Sequence, residues 1–233
     1  MAVKLKGAHS QSTPRQQEGN MFDANLISLE GPEGSGKTTN KNKTVEFLKS
    51  KGYEVITGRD PGETEISEEI REIILKNREY AEMTKDAEVL LYEAARSQLV
   101  SNFLKPASKN NDFIVLDRYF DSTTAYQGYG RRIDLEFIKM LNKRVTSGIT
   151  PDRTYLLDVS PEIGLKRCGK DEFSEDGGDR MEQSSLDFHH RVRDGFLKIA
   201  DGNNRIKVID TEKNNEEQVF KIVEDDLREQ FDI

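Results

Sequence analysis

The sequence predicts an α/β fold in which a parallel sheet is covered by helices on both faces, and two observations carry this prediction. Short apolar runs with the character of strands alternate along the chain with longer segments of helical periodicity, which is the order typical of parallel sheets. One run, residues 113–117 (FIVLD), is apolar almost throughout, as expected for a strand buried on both faces. At 233 residues, the chain suits one domain with a substantial core.

The predicted elements follow the chain from residue 21 to residue 233 as a single domain. Residues 1–20 are polar, lack periodicity and contain Pro14 and Gly19, so we exclude them as a disordered extension or an expression remnant. Strands are predicted at about 25–30, 53–57, 113–117, 154–159 and 206–210. Helices are predicted at about 39–50, 66–75, 85–103, 121–130, 134–147, 161–168 and 184–200, followed by an amphipathic C-terminal helix.

Further expectations attach to three of these segments. The apolar side of the helix 85–103 is expected to consist of Leu90, Leu91, Ala94, Ala95 and Leu99. The polar, glycine-containing segment at about 168–182 is the best candidate for a mobile lid. His189 and His190 follow it without the ligand spacing of a zinc site, so we expect them on a helix surface.

The first predicted strand runs into a loop with the pattern G-x-x-x-x-G-K-[ST]. The loop and the residue after it are Gly31, Pro32, Glu33, Gly34, Ser35, Gly36, Lys37, Thr38 and Thr39. Between a strand and a helix, such a loop turns its backbone N–H groups inward, and the positive end of the helix adds to the field. Lys37 is expected to reach the β- and γ-phosphates of a nucleotide, and the Thr38 hydroxyl to ligate Mg²⁺. The sequence therefore predicts a nucleotide-phosphate site.

Three polar residues follow or end other predicted strands. Asp117 ends the apolar run, where a carboxylate near Mg²⁺ is expected in proteins with this loop. Arg118 comes directly after it, and Arg59 follows the second strand. In parallel sheets, the carboxyl ends of the strands form the edge that binds ligands. Guanidinium groups suit phosphate because their planar fork donates two parallel hydrogen bonds, although a surface ion pair is the alternative for each arginine.

Composition excludes several classes of protein. The net charge of −8 argues against a duplex DNA or RNA binder, whose surface would be basic. No apolar run approaches the ~20 residues needed to cross a bilayer, and residues 1–20 lack the apolar region of a signal peptide. A single cysteine, Cys168, excludes an internal disulfide. We therefore expect a cytoplasmic protein with neither a nucleic-acid nor a membrane partner.

Five stretches in fixed order resemble the thymidylate kinase family, and the resemblance covers essentially everything from about residue 24 to 233. They are residues 30–39 (EGPEGSGKTT), 59–62 (RDPG), 90–96 (LLYEAAR), 117–127 (DRYFDSTTAYQ) and 179–182 (DRME). The resemblance implies a P-loop NTPase-type three-layer sandwich with a five-stranded parallel sheet and a mobile lid. It also implies phosphoryl transfer from MgATP to dTMP, giving dTDP and ADP, with Mg²⁺ bound by the protein, and usually a homodimer.

The resemblance assigns a dTMP pocket to two sets of residues with helical spacing. It makes Tyr92 a platform for the thymine ring and lets Arg96, one turn later, reach the edge of the base. Thr123 and Gln127 match positions that contact the base. Tyr126 matches a ring that fills the space a ribose 2′-hydroxyl would need, which would favour deoxyribose.

The resemblance also places charged residues around the acceptor phosphate. Arg118 and Arg59 are expected to contact the phosphate of dTMP, and Glu33 the region of its 3′-hydroxyl.

Asp60 and Glu63 depart from the family, which favours glutamate at the first position and glycine at the second.

The resemblance also implies that the lid supplies a catalytic cation. Arg180 is the strongest candidate, with Arg167 and Lys170 behind it. The lid residues 170–179 are unexpectedly acidic, whereas bacterial relatives usually carry more arginine there.

Two alternatives remain at this stage. The first is another nucleoside or deoxynucleoside monophosphate kinase, which an acceptor panel would distinguish. The second is a nucleotide-binding switch protein that signals through partners. A guanine-specific switch would need an N-K-x-D element at a strand end, and residues 40–43 (NKNK) lie in the first helix and lack the aspartate.

Overall fold

A computed structural model describes residues 22–75, 83–169 and 185–233 of the chain. These residues contain a five-stranded sheet in which every pairing is parallel and the strand order is β2–β3–β1–β4–β5. The strands are β1 (Asn25–Glu30), β2 (Val55–Arg59), β3 (Phe113–Asp117), β4 (Arg153–Asp158) and β5 (Ile206–Asp210). The predicted parallel sheet is confirmed. The predicted extension at 1–20 lies outside the described residues.

Strand β2 differs from its prediction by two residues, because it begins at Val55 rather than at Tyr53. It also ends two residues later than predicted, so Arg59 is the last residue of the strand instead of following it. In the parallel register, Arg59 is the partner of Asp117 on β3. The shift therefore places Arg59 directly at the carboxyl edge of the sheet.

The helices lie on both faces of the sheet. They are α1 (Lys37–Ser50), α2 (Glu65–Leu75), α3 (Lys85–Leu99), α4 (Lys105–Ala107), α5 (Phe120–Thr123), α6 (Leu135–Thr146), α7 (Pro161–Arg167), α8 (Leu186–Ala200) and α9 (Glu216–Phe231). Polar side chains cap several of them; at α9, Asn215 and Gln218 bond to each other's backbone N–H groups. Among the described helices, none is long and apolar enough to cross a membrane.

Two predicted helices contain π-helical stretches that the periodicity of the sequence did not reveal. The helix predicted at 85–103 continues from α3 into the π-helical stretch Val100–Leu104 before α4. The helix predicted at 121–130 starts as α5 and continues as the π-helical stretch Thr124–Gly130. Such stretches often occur at functional sites because they rotate side chains out of regular α-helical spacing.

Strand β1 divides its side chains between two apolar layers. Ile27 and Leu29 pack in a cluster with Leu48 of α1 and Val223 of α9. Leu26, on the opposite face, lies in a cluster with residues of α3 and its π-helical continuation, including Leu99. Alternation along one buried strand thus explains why the sheet carries helices on both faces, and the three-layer arrangement is confirmed.

The predicted apolar side of α3 is wrong in part. Leu90 is 50% exposed, and Ala94 is exposed as well. Glu88, Glu93 and Arg96 are buried instead. Hydropathy favours the opposite arrangement, but buried charges are tolerated where they have hydrogen-bonding or charged partners, as each of these has in the site described below.

The expectation for the two neighbouring histidines is wrong for one of them. His189 is 3% exposed, and its ring packs edge to face against Phe188 at a centroid distance of 5.4 Å. His190 is partly exposed, and its Nε2 lies 3.0 Å from a carboxylate oxygen of Glu162. Helical spacing alone could not decide which of two adjacent histidines faces the core.

Candidate active site

The carboxyl ends of β1, β2 and β3 bring the predicted phosphate-binding features to one edge of the sheet. Leu29 and Arg59 both lie beside Asp117 in the strand register. Arg118 follows Asp117, and its backbone N–H donates to the carbonyl oxygen of Leu29 at 3.0 Å. The glycine-rich loop leaves β1 at the same edge. The geometry that the sequence predicted for this edge is present.

The loop packs directly against helix α7. A Cβ atom on Gly34 would lie 2.0 Å from the carbonyl oxygen of Gly164, and a Cβ atom on Gly164 would lie 2.2 Å from the carbonyl oxygen of Glu33. Gly34 also has a φ of 65°, in the left-handed region that favours glycine. The backbones of the loop and of α7 are therefore in direct contact here, and this contact fixes the course of the loop.

Lys37 lies inside the loop that it follows. It is 8% exposed, and its Nζ donates to the carbonyl oxygens of Pro32 at 2.8 Å and Gly31 at 3.1 Å, with Ser35 Oγ at 3.4 Å. Burial, followed by the positive charge of Arg118, lowers the pKa of Lys37 to about 8. The ammonium group is thus held where a nucleotide phosphate could replace these carbonyl oxygens.

The first turn of α1 offers groups that suit an anion and a divalent cation. The helix begins at Lys37 after Gly36, so Thr38 and Thr39 lie in the turn whose backbone N–H groups have no helical partner. The Thr38 hydroxyl lies 3.4 Å from Asp117 Oδ2, and both oxygens suit Mg²⁺. The described residues contain no cluster of three His, Cys, Asp or Glu side chains placed for a metal. Two protein oxygens still fit Mg²⁺, which keeps water and phosphate ligands.

Arg118, Glu33 and Tyr126 form a hydrogen-bonded group beside the loop. Arg118 Nη2 and the Tyr126 hydroxyl both donate to Glu33 Oε1, at 2.7 and 2.8 Å. The guanidinium of Arg118 also lies 5.1 Å from the centroid of the Tyr126 ring. Burial would raise the pKa of Glu33, but the charges of Arg118 and Lys37 outweigh it and lower that pKa to about 2. Glu33 is therefore ionised at neutral pH and orients both partners.

Glu30, the last residue of β1, holds the segment that carries Arg118. It is completely buried; Oε1 accepts the N–H of Tyr119 at 2.7 Å, and Oε2 accepts the Ser122 hydroxyl at 2.6 Å. Ser122 Oγ in turn accepts from Arg118 Nη1 at 3.2 Å. Burial, followed by the negative charge of Asp121, raises the pKa of Glu30 from 4.5 to about 8. Arg118 itself has a φ of 66°, and these bonds hold that uncommon backbone conformation.

Arg96 is 1% exposed and joins several elements of the fold. Its Nε donates to Asp60 Oδ2 at 2.5 Å, its Nη1 to Glu93 Oε1 at 2.6 Å and its Nη2 to Thr123 Oγ1 at 2.7 Å. Nη1 also donates to Asn142 Oδ1 at 3.1 Å. Burial would lower the pKa of Arg96, but the carboxylates of Asp60 and Glu93 outweigh it and raise that pKa. Arg96 is thus a charged buried centre that fixes the predicted base-contacting residue Thr123.

Gln127, the second predicted base-contacting residue, is held by the same helix. It is 1% exposed, and its Nε2 donates to Glu88 Oε1 at 2.9 Å. Arg131 Nε lies 3.2 Å from the same oxygen. Glu88, Tyr92 and Arg96 recur every four residues along α3, so they share one face of the helix.

Arg59 is engaged in an ion pair at the sheet edge. Its Nη2 donates to Glu68 Oε2 at 2.8 Å, and the Arg59 side chain is 48% exposed. Glu63 has a φ of 69°, and its carboxylate accepts the backbone N–H of Arg59 at 3.1 Å. The glutamate thus bonds to the end of β2 from a backbone conformation that favours glycine. The bond to Glu68 uses Nη2, and a guanidinium carries further N–H donors on Nη1 and Nε.

The predicted lid cations are described only in part. Arg167 donates to the carbonyl oxygen of Thr211 at 2.8 Å and reaches the carbonyl oxygen of Gly34 at 3.5 Å, so it lies beside the phosphate-binding loop. Arg180 and Lys170 lie outside the described residues. The assignment of Arg180 therefore rests on the sequence.

The sequence analysis gave no role to three carboxylates that hold the predicted site residues, namely Glu30, Glu88 and Glu93. Each is at most 3% exposed. Each is a carboxylate within or beside an apolar run, which is the one signal that could have identified it. An acidic residue in such a position is almost never fully buried unless it has a partner.

Comparisons with known proteins agree on one family. A family model described as thymidylate kinase matches residues 29–222. The thymidylate kinase of Chlorobaculum tepidum is 44% identical over 191 residues, which cover 79% of this chain and 88% of that protein. That of Chlorobium luteolum is 41% identical over 212 residues, covering 88% and 98%. A crystal structure of thymidylate kinase from Ehrlichia chaffeensis superposes with a TM-score of 0.68 at 32% identity, covering 88% of this chain and 98% of that one.

The buried carboxyl of Glu30 leads to a testable pH dependence of stability. With a raised pKa, Glu30 keeps its proton in the folded state between pH 4.5 and about 8, whereas it ionises in the unfolded state. The free energy of unfolding of the wild type therefore falls as the pH rises through this window. Glu30→Gln is neutral in both states, so its stability relative to wild type should rise by about 1 kcal/mol or more between pH 5 and pH 8. Urea unfolding at both pH values measures this change, and parallel curves for the two proteins would contradict it.

Proposed function

The chain belongs to the thymidylate kinase family, and we propose on this premise that its sheet edge transfers the γ-phosphoryl group of ATP to dTMP, giving dTDP and ADP. One observation carries the proposal. Lys37 Nζ and Arg118 Nη1 both donate to the carbonyl oxygen of Gly31, at 3.1 and 2.9 Å. Two cations from different elements thus meet at Gly31, the first residue of the phosphate-binding loop. Phosphoryl transfer needs such a place, because charge develops between a donor and an acceptor phosphate.

The donor side is formed by the loop and the start of α1. We assign the ATP phosphates to the loop residues Gly31, Pro32, Glu33, Gly34, Ser35, Gly36, Lys37, Thr38 and Thr39. Lys37 would exchange its carbonyl partners for phosphate oxygens, and the backbone N–H groups of the first turn of α1 would donate to them. Mg²⁺, when bound by Thr38 and Asp117 directly or through water, supplies charge neutralisation for the phosphates.

The acceptor side is formed by α3 and the segment that follows β3. We assign Tyr92 to the thymine ring, Arg96, Thr123 and Gln127 to the base edge, and Tyr126 to the deoxyribose. The bonds that fix Thr123 and Gln127 to α3 support this assignment, since a specific pocket needs side chains held in one geometry.

Three charged residues connect the acceptor to the donor. Ionised Glu33 can accept a hydrogen bond from the 3′-hydroxyl of dTMP, while Arg118 turns from Glu33 to the acceptor phosphate. Arg59 would join it, and Arg180 would come from the lid. Catalysis in this arrangement is electrostatic and positional, and the enzyme forms no covalent intermediate.

The apolar side chains that α2, α3 and α6 expose support a homodimer. Ile66 and Ile73 of α2, Leu90 of α3 and Leu135 and Met140 of α6 are between 37% and 57% exposed, and α3 packs against both other helices. We propose that a second copy of the chain covers this layer.

The exposed thiol of Cys168 supports a reducing, cytoplasmic setting.

An acceptor panel tests the proposed reaction. With MgATP, dTMP should give acceptor-dependent ADP, and dGMP and dAMP should give much less, because the acceptor residues are assigned to a pyrimidine ring. Coupled ADP release measures all acceptors, and chelation of Mg²⁺ should abolish the signal. A purine preference would indicate another monophosphate kinase. Slow ATP hydrolysis that no acceptor accelerates would indicate a switch protein.

Removal of the Arg118 guanidinium should slow the reaction strongly. Arg118→Ala should lower kcat/KM by about 10³ or more, as expected for an arginine that neutralises a phosphoryl-transfer site. Steady-state kinetics measures the loss. Arg228→Ala is the matched control, because Arg228 lies on α9 in a surface pair with Glu224 and should leave kcat/KM unchanged. A loss below tenfold for Arg118→Ala would reject its assigned role.

A charge on the exposed apolar layer should separate the dimer. Leu90→Glu would bury a carboxylate between the two copies, so sedimentation should show the mass of one chain rather than two. Val208→Glu is the control, because Val208 is 43% exposed on β5, away from α2, α3 and α6. Equal sedimentation of wild type and Leu90→Glu as dimers, or a wild type that is monomeric, would contradict this interface.

A further inference from the structure

Two polar contacts from α3 frame Tyr92, the residue assigned to the thymine ring. Arg96 lies one turn after Tyr92 and donates to Thr123 Oγ1 at 2.7 Å. Glu88 lies one turn before Tyr92 and accepts from Gln127 Nε2 at 2.9 Å. One face of α3 therefore holds both base-contacting residues, with the aromatic platform between them.

The contact with Glu88 determines which way the amide of Gln127 faces. An ionised carboxylate can only accept hydrogen bonds. The Gln127 group that faces Glu88 must therefore be the Nε2 amino group, as in the structure. Arg131 Nε also approaches Glu88 Oε1 at 3.2 Å, and a guanidinium can only donate, so this oxygen acts as an acceptor. The carbonyl oxygen of Gln127 is then the part of the amide that remains to contact a ligand.

The contact with Arg96 determines which hydrogen bond Thr123 can offer to a ligand. A guanidinium can only donate, so the Thr123 oxygen accepts from it and the hydroxyl hydrogen can be donated elsewhere. Gln127 thus presents an acceptor to the pocket and Thr123 a donor, beside the Arg96 guanidinium, which can only donate. A thymine or uracil ring presents the complement, because its N3–H is a donor and the adjacent C4 carbonyl is an acceptor. Cytosine presents the reverse, with an acceptor at N3 and a donor at C4.

We propose that Glu88 is a specificity-determining positioning residue, which fixes the Gln127 amide so that the site takes 4-oxo pyrimidine deoxynucleotides and rejects 4-amino ones. This proposal rests on the proposed function and deepens it. Glu88 acts through Gln127 and does not touch the substrate. It does not distinguish dTMP from dUMP, because these differ only in a methyl group on C5.

The test compares acceptors in the wild type and in Glu88→Gln. A glutamine at position 88 can donate its own amino group, which lets the Gln127 amide turn and present Nε2 to the base. The ratio of kcat/KM for dTMP to that for dCMP should fall roughly tenfold or more, since one correct hydrogen bond is replaced by a mismatch. The ratio for dTMP to dUMP should stay within about threefold of wild type, because both rings are read identically.

A matched control and a double variant separate positioning from general damage. Arg131→Gln removes a donor to Glu88 other than Gln127 and should leave the dTMP to dCMP ratio within about threefold of wild type, because Gln127 still donates to the same oxygen. Gln127→Met removes the amide, and in that background Glu88→Gln should no longer change the ratio. An unchanged ratio in Glu88→Gln, or an equal change with and without Gln127, overturns the proposal. A wild type that does not phosphorylate dTMP overturns the proposed function instead.

A measurement on the wild type keeps the test open if Glu88→Gln does not fold. In the dTMP complex, NMR should place the side-chain amide protons of Gln127 close to the methylene protons of Glu88 and away from the N3 proton of the base. Amide protons of Gln127 in contact with the N3 proton would overturn the proposal.

Discussion

The site depends on holding two positive charges at one carbonyl oxygen. Lys37 and Arg118 both donate to Gly31, and burial, followed by the charge of Arg118, lowers the pKa of Lys37. Glu33 compensates from the loop with a direct bond to Arg118, and Asp117 from β3 adds a second negative charge. The two positive charges at this edge are therefore balanced by two carboxylates close by, within a chain whose net charge is −8.

Local patterns predicted most of the fold and the donor half of the site. The glycine-rich loop and the apolar run ending at Asp117 could be recognised because each is a pattern of consecutive residues. The acceptor half was only partly predictable, since Glu88, Glu93 and Arg96 are buried on α3 by contacts with other elements. Hydropathy predicted that Leu90 is buried, because it cannot register that these charged residues occupy the buried side of α3 instead. Which charges could be buried depended on partners far away in the sequence, such as Gln127, and no window of neighbouring residues contains that information.

The buried polar groups belong to connected sets. Glu30 bonds to the segment carrying Arg118, while Arg96 and Glu88 bond to the residues assigned to the base. A buried charge is costly without a partner, so each set restricts its segment to an arrangement in which the bonds are made. The π-helical stretch Thr124–Gly130 is one such segment, because Gln127 within it bonds to the buried Glu88 of α3.

The contact between Gly34 and Gly164 has a mechanical consequence. No side chain separates the loop from α7, so neither can move toward the other, and a shift of the loop displaces the helix with it. The chain leaves α7 at residue 167 and enters the segment assigned to the lid. Backbone contact alone therefore couples the position of the loop to the point where that segment begins.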